Sequence, residues 1–172
     1  MKLDTWFFAA FMSVFYVAGL GIIAYALWCV QRSAQAAAWP TTAATDWRLQ
    51  ADERASQDRR GQSNIYEVKI QYSYSVEGVN YEGTRLAFGY AGSNRPAPHG
   101  DIHRKLEAAK GIDVRYNPKD PSDSCLSFGL HRSVQLMLCF GTSILIFAVV
   151  FTLMSWLSTL PDNVLLSNLS VR

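Results

Sequence analysis

The sequence predicts a membrane α+β protein, with two transmembrane helices flanking a small antiparallel β-sheet or partly open β-barrel domain that carries one short helix. Three observations predict it. Residues 5–30, "TWFFAAFMSVFYVAGLGIIAYALWCV", and 133–160, "SVQLMLCFGTSILIFAVVFTLMSWLSTL", hold no charge. Each run exceeds the roughly 20 residues that cross a bilayer core. Between them, "YEVKIQYSYSV" alternates apolar and polar residues from Tyr66 to Val76, the period of a half-buried strand.

The chain has 172 residues, enough for one small domain plus attachments. Its expected parts are a helix at 5–30, a β-rich domain at 41–128, a second helix at 133–157 and a tail at 161–172. Of the 16 Lys and Arg, all but Lys2 and Arg172 lie between the apolar runs; of the 14 Asp and Glu, all but Asp4 and Asp162 do. The middle is thus an ordinary mixed-charge segment. A net charge of +2 argues against a nucleic-acid partner. The first run is longer than a signal-peptide core and ends in bulky Leu27, Trp28 and Val30, which favours an uncleaved anchor. Cys29, Cys125 and Cys139 are too scattered for a disulfide framework or a zinc site.

In chain order, residues 31–40 read as a short link, and "TTAATDWRL" as a first strand. Residues 51–64, charged and turn-rich, read as a loop. The strand at 66–76 follows, with Tyr66, Val68, Ile70, Tyr72, Tyr74 and Val76 on its apolar face. Glu77-Gly78 makes a tight turn, and "VNYEGTRLAF" returns antiparallel, setting Val76 opposite Val79 and Tyr74 opposite Tyr81. Unbroken phase would then bury Arg85, so a bulge at Gly83 is expected to turn Leu86, Phe88 and Tyr90 inward. Residues 89–100 read as a loop. "DIHRKLEAAKG" reads as a surface helix capped by Asp101 and ended by Gly111. "IDVRY" and "SCLSF" are the last strands.

Two features invite a chemical reading. His99 and His103 have the spacing of two ligands on one helix face, with Glu107 beyond, but a helix starting at Asp101 leaves His99 outside it. In "VRYNPKDPSDSCLSFG", Asn117-Pro118 and Asp120-Pro121 are turn-initiating pairs. Asn117, Asp120 and Asp123 serve there as turn-formers, and the central glycine of a calcium loop is missing. No metal, cofactor or catalytic set is expected: the chain has no phosphate loop, no G-x-S-x-G and no metal quartet.

The same residues carry a resemblance. Trp39, Pro40, Tyr72, Tyr74, Val76, Gly78, Tyr81, Gly83, Val114, Tyr116, Pro118, Pro121, Ser124 and Leu126, followed by a span, resemble the pattern of the domain-of-unknown-function family numbered 3592. Asn117 and Asp120 belong to the same turn motif. The one departure is "AAKGIDV", where members often carry a proline-glycine pair. The resemblance implies a membrane location and this fold, and it brings no activity and no ligand residues.

The expected role is non-enzymatic. The chain would present its β-rich domain to another membrane or envelope protein, with the lipid bilayer as its other partner and no small-molecule substrate. An accessory subunit of an envelope complex is the first reading, and an immunity-type protein against a membrane-targeting toxin the second. The expected place is a bacterial inner membrane, with the domain extracytoplasmic. Uncharged spans argue against a lone pore. Ala18, Gly21, Gly141 and Ser143 would let helices approach closely, most simply each other.

Overall fold

The computed structural model describes residues 2–56, 63–93, 96–160 and 163–168. The elements are α1 (Lys2–Ala37), β1 (Thr41–Ser56), β2 (Ser63–Val76), β3 (Val79–Gly83), α2 (Pro96–Glu107), β4 (Asp113–Asn117), β5 (Asp120–Cys125), α3 (Arg132–Leu157) and α4 (Asn163–Asn168). They divide into two compact units: residues 1–25 with 137–172, and residues 26–136.

The first unit is built on α1 and α3, both long and apolar enough to cross a membrane. Their backbones approach closely where Gly19 meets Gly141. A Cβ on Gly19 would lie 2.8 Å from Leu145, and one on Gly141 would lie 2.8 Å from Ile23 Cγ1. Small residues at such a crossing allow dispersion contacts along the whole seam. Phe15 packs on Phe147 at 5.9 Å, and the Tyr16 hydroxyl meets Thr152 Oγ1 at 3.2 Å. Gly141 thus serves the contact expected of it, whereas Gly21 has nothing nearby. The outward faces carry exposed Phe7, Phe11, Val14, Val17, Phe140 and Ile146.

The second unit holds an open five-stranded antiparallel sheet in the order β3-β2-β1-β4-β5. Strand β2 alternates as its sequence requires, with Val68, Ile70, Tyr72 and Tyr74 buried. Glu77 and Gly78 both adopt positive φ, 51° and 83°, the two-residue turn whose twist matches a hairpin. Val76 faces Val79 and Tyr74 faces Tyr81, the latter rings stacked at 5.8 Å. The core joins Ile70, Tyr72, Tyr74, Leu86, Ile112 and Val114, with Trp47, Leu49, Ile102 and Leu106 packed against it.

Several expectations are corrected. Residues 31–37 are not a link but the last turns of α1: they hold no helix breaker, and the helix ends just before Pro40. Residues 51–56 and 63–64 extend β1 and β2 into a long hairpin, because pairing along the whole ribbon outweighs the polar composition; residues 57–62 of the expected loop lie outside the described residues. The bulge is not at Gly83, where β3 simply ends paired to Tyr72. The register of β1 shifts instead between Ala44 and Asp46. That shift adds Thr45, sends Asp46 and Arg48 outward, and turns Trp47 and Leu49 towards the core. Leu86 and Phe88 are buried as expected, but from the segment after β3 rather than from a strand. Helix α2 begins at Pro96, five residues before Asp101, since proline is well suited to the first helical position. The last strand is Asp120–Cys125, not 124–128, so Pro118-Lys119 closes a hairpin between β4 and β5.

Candidate functional site

The motif residues assemble into one side of the β unit. Tyr72 is fully buried, and its hydroxyl donates to the Arg85 carbonyl at 3.1 Å and meets Ser124 Oγ at 3.1 Å. Burial pushes that phenol up to about 12. The Tyr74 hydroxyl donates to the Pro121 carbonyl. Both tyrosines thus reach from β2 to β5, and Gly83 leaves the room: a Cβ there would strike the Tyr72 ring, 2.5 Å from Cζ, and lie 2.6 Å from Ser124 Oγ. Val114 is fully buried, while Tyr116 and Leu126 flank the core.

The hairpin turn uses its polar residues as expected. Asn117 Oδ1 accepts from the Lys119 N–H at 3.0 Å, and Asp120 Oδ1 from the Ser122 N–H at 3.2 Å. The β4–β5 register shifts between Tyr116 and Asn117, beside Pro121, which has no N–H to give. Asp123 is no turn-former. Its carboxylate takes the guanidinium of Arg32 on α1 and, at 2.5 Å, that of Arg85.

That ion pair lies at the heart of a junction. Arg32 stands over the rings of Trp28, Trp39 and Phe88, and Arg85 over Phe88 at 4.6 Å. Trp39 and Trp28 both meet Phe88 edge-on, at 5.9 and 6.3 Å. Ser33 exchanges two hydrogen bonds with the Gly129 backbone. Arg115 donates to the carbonyls of Ala37 and Trp39, at 3.2 Å each, placing a cation at the negative end of α1. Pro40 then passes the chain into β1, its carbonyl accepting from the Tyr116 N–H at 3.2 Å. Gly89, at φ 73°, threads the segment after β3 past Val134 and Cys29, where a side chain would collide with Val134. Cys125 is buried beneath this cluster and its thiol is pushed up to about 11, so it carries little thiolate at neutral pH.

A second constellation surrounds His99. The imidazole is buried, and His99 lies inside α2 rather than before it as expected. Its Nδ1 meets the Tyr90 hydroxyl at 2.7 Å and its Nε2 meets Ser93 Oγ at 2.8 Å. The Tyr90 oxygen also accepts from the Val68 N–H at 3.2 Å. Burial holds His99 below its ordinary pKa and likewise His131, so both rings favour the neutral form. His103 turns away to Glu107 at 3.6 Å, so the two histidines of α2 do not converge. Among the described residues, no group of three His, Cys, Asp or Glu could hold a metal ion. Tyr90, His99, His131, Arg132 and Leu136 line a cleft of about 260 Å³.

Sequence reasoning missed the Arg32–Asp123–Arg85 cluster, the Ser33–Gly129 clasp and the His99 network. Pro96 was the available signal for the third: a helix opening there places His99 one turn in. The first two join residues 91 and 96 positions apart, and no local pattern announces such a pairing.

Comparison with known proteins gives one match. The family described as Domain of unknown function (DUF3592) matches over residues 41–131, from the start of β1 to the residue before α3. No curated protein and no solved structure matches the chain.

Proposed function

This chain belongs to that family, and on that premise we propose that it is an integral membrane protein without catalytic activity, presenting its β unit to another membrane or envelope protein as an accessory subunit. The observation that carries the reading is the junction. Within that unit, Arg32 and Ser33 of α1 and the following Trp39 pack against Asp123, Gly129 and Phe88 and fix one side of the β sheet. A surface ordered in this way loses less entropy when it meets a partner. The lengths and apolarity of α1 and α3 support insertion in a bilayer. Their exposed faces suit lipid or a further membrane helix. We place the protein in a bacterial inner membrane with the β unit outside the cytoplasm, which sets Lys2, at the far end of α1 from that unit, on the cytoplasmic side.

The test is mild detergent extraction of the tagged full chain from its native host, followed by mass spectrometry. A stoichiometric membrane partner, lost on Trp39→Ala or Asp123→Asn, is the expected result. Isolation of the protein alone from cells at every growth stage would sink the accessory-subunit reading.

A further inference from the structure

The cleft beside His99 lies where α3 begins. Its lining divides by chemistry. Arg132, His131 and Ser133 form a polar side, and Pro98, Ile102 and Leu136 an apolar one. No carboxylate among the described residues lines it. Arg132 is exposed and makes no ion pair among the described residues, and the His131 ring, packed edge-on to Tyr90 at 5.7 Å, makes no hydrogen bond to another described residue. Four other arginines of the same unit are engaged. Arg32 and Arg85 share Asp123, Arg104 pairs with Asp101, and Arg115 caps α1. The cleft therefore offers a cation and an imidazole beside an apolar wall, with no carboxylate among its described lining residues.

We propose that this cleft binds the headgroup of an anionic membrane phospholipid, a step that rests on reading α3 as a membrane span. The start of a span lies at headgroup depth, where a phosphodiester is the abundant anion. The Arg132 guanidinium matches its two free oxygens with parallel N–H donors. His131 adds a ring N–H donor, and Leu136 and Ile102 receive the glycerol and the first acyl carbons. A volume of about 260 Å³ takes a headgroup and leaves the chains in the bilayer. An anionic lipid is favoured over a zwitterionic one because the site holds fixed positive charge and, among its described lining residues, no carboxylate to receive a choline or ethanolamine.

The experiment uses the full chain, purified in detergent and stripped of lipid, with native mass spectrometry after adding phosphatidylglycerol, phosphatidylcholine or inorganic phosphate. One phosphatidylglycerol is expected to remain bound, with phosphatidylcholine retained at least about tenfold less well and inorganic phosphate unable to displace the lipid. Arg132→Gln should lose the preference, and Arg104→Gln on the exposed face of α2 should keep it. Equal retention of both lipids, or undiminished preference in Arg132→Gln, overturns the proposal. Displacement by inorganic phosphate also overturns it and makes the cleft a soluble-anion site. The two lipids compared on the unaltered chain decide the matter even if Arg132→Gln does not fold. A carbonate wash of native membranes separates the two readings. Release of the protein refutes the span itself, whereas retention without lipid preference refutes only the headgroup site.

Discussion

Ser33 Oγ donates to the Gly129 carbonyl at 3.0 Å and accepts from the Gly129 N–H at 2.7 Å. One hydroxyl near the end of α1 thereby satisfies both backbone groups of a residue just ahead of α3. Ser33 is itself buried, so water cannot readily replace it. Ser33→Ala leaves a donor and an acceptor unpaired at once. We expect a loss of about 1–3 kcal/mol in unfolding free energy, measured by denaturant titration in detergent. A midpoint equal to that of the unaltered chain would show that water enters the clasp freely.

Asp123 joins two arginines that flank Phe88 from different segments. Its carboxylate is largely buried, whereas Arg85 remains well exposed. Asp123→Asn removes the charge, keeps the shape and leaves two guanidinium groups facing one another. The expected cost is about 1–3 kcal/mol, between the values for exposed and for fully buried pairs. Arg104→Ala, which breaks the exposed Arg104–Asp101 pair on α2, should change stability by no more than about 0.5 kcal/mol. Equal effects from the two substitutions would mean that Asp123 is as well solvated as Asp101.

Gly83 is small because the Tyr72 ring lies against it, not because its backbone needs freedom. Gly83→Val should therefore destabilise the β unit by about 1–3 kcal/mol through overpacking. Gly111→Ala, where the added carbon meets nothing within 4 Å, should stay within about 0.5 kcal/mol. Thermal unfolding monitored by tyrosine absorbance reads both, since Tyr72 reports on its own pocket.

These residues also show which parts of the fold were legible. The alternation of Tyr66–Val76 and the Glu77-Gly78 turn are local signals, and strand, turn and the Tyr74–Tyr81 pairing followed from them. The Asx turns at Asn117 and Asp120 were legible for the same reason. The bulge was not. The sequence shows that a strand phase must break, since Arg85 would be buried otherwise. It does not show that a chain can resolve the conflict by ending β3, nor that β1 carries its own shift at Thr45. The start of α2 was misplaced because Asp101 competes with Pro96 as an N-terminal signal. Junction and cleft were invisible because each joins side chains from separate segments, which tertiary packing alone brings together.

Buried His99 and half-buried His131 tie the stability of the β unit to pH. His99 and His131 both titrate below their ordinary value of 6.5, because burial disfavours the charged ring. As pH falls through 6.5, the unfolded chain takes up protons that the folded chain refuses. Stability is therefore full above 6.5 and declines as acidification proceeds towards the folded-state values, below which it levels off. Most carboxylates titrate lower, near about pH 4, so the first decline belongs to the histidines. Denaturant midpoints taken from about pH 8 to about pH 5 should fall. His99→Gln should flatten the curve: its amide stays neutral and can still meet Tyr90 or Ser93. A midpoint that rises on acidification would mean that His99 is charged in the folded state and that the Tyr90 hydroxyl accepts from it.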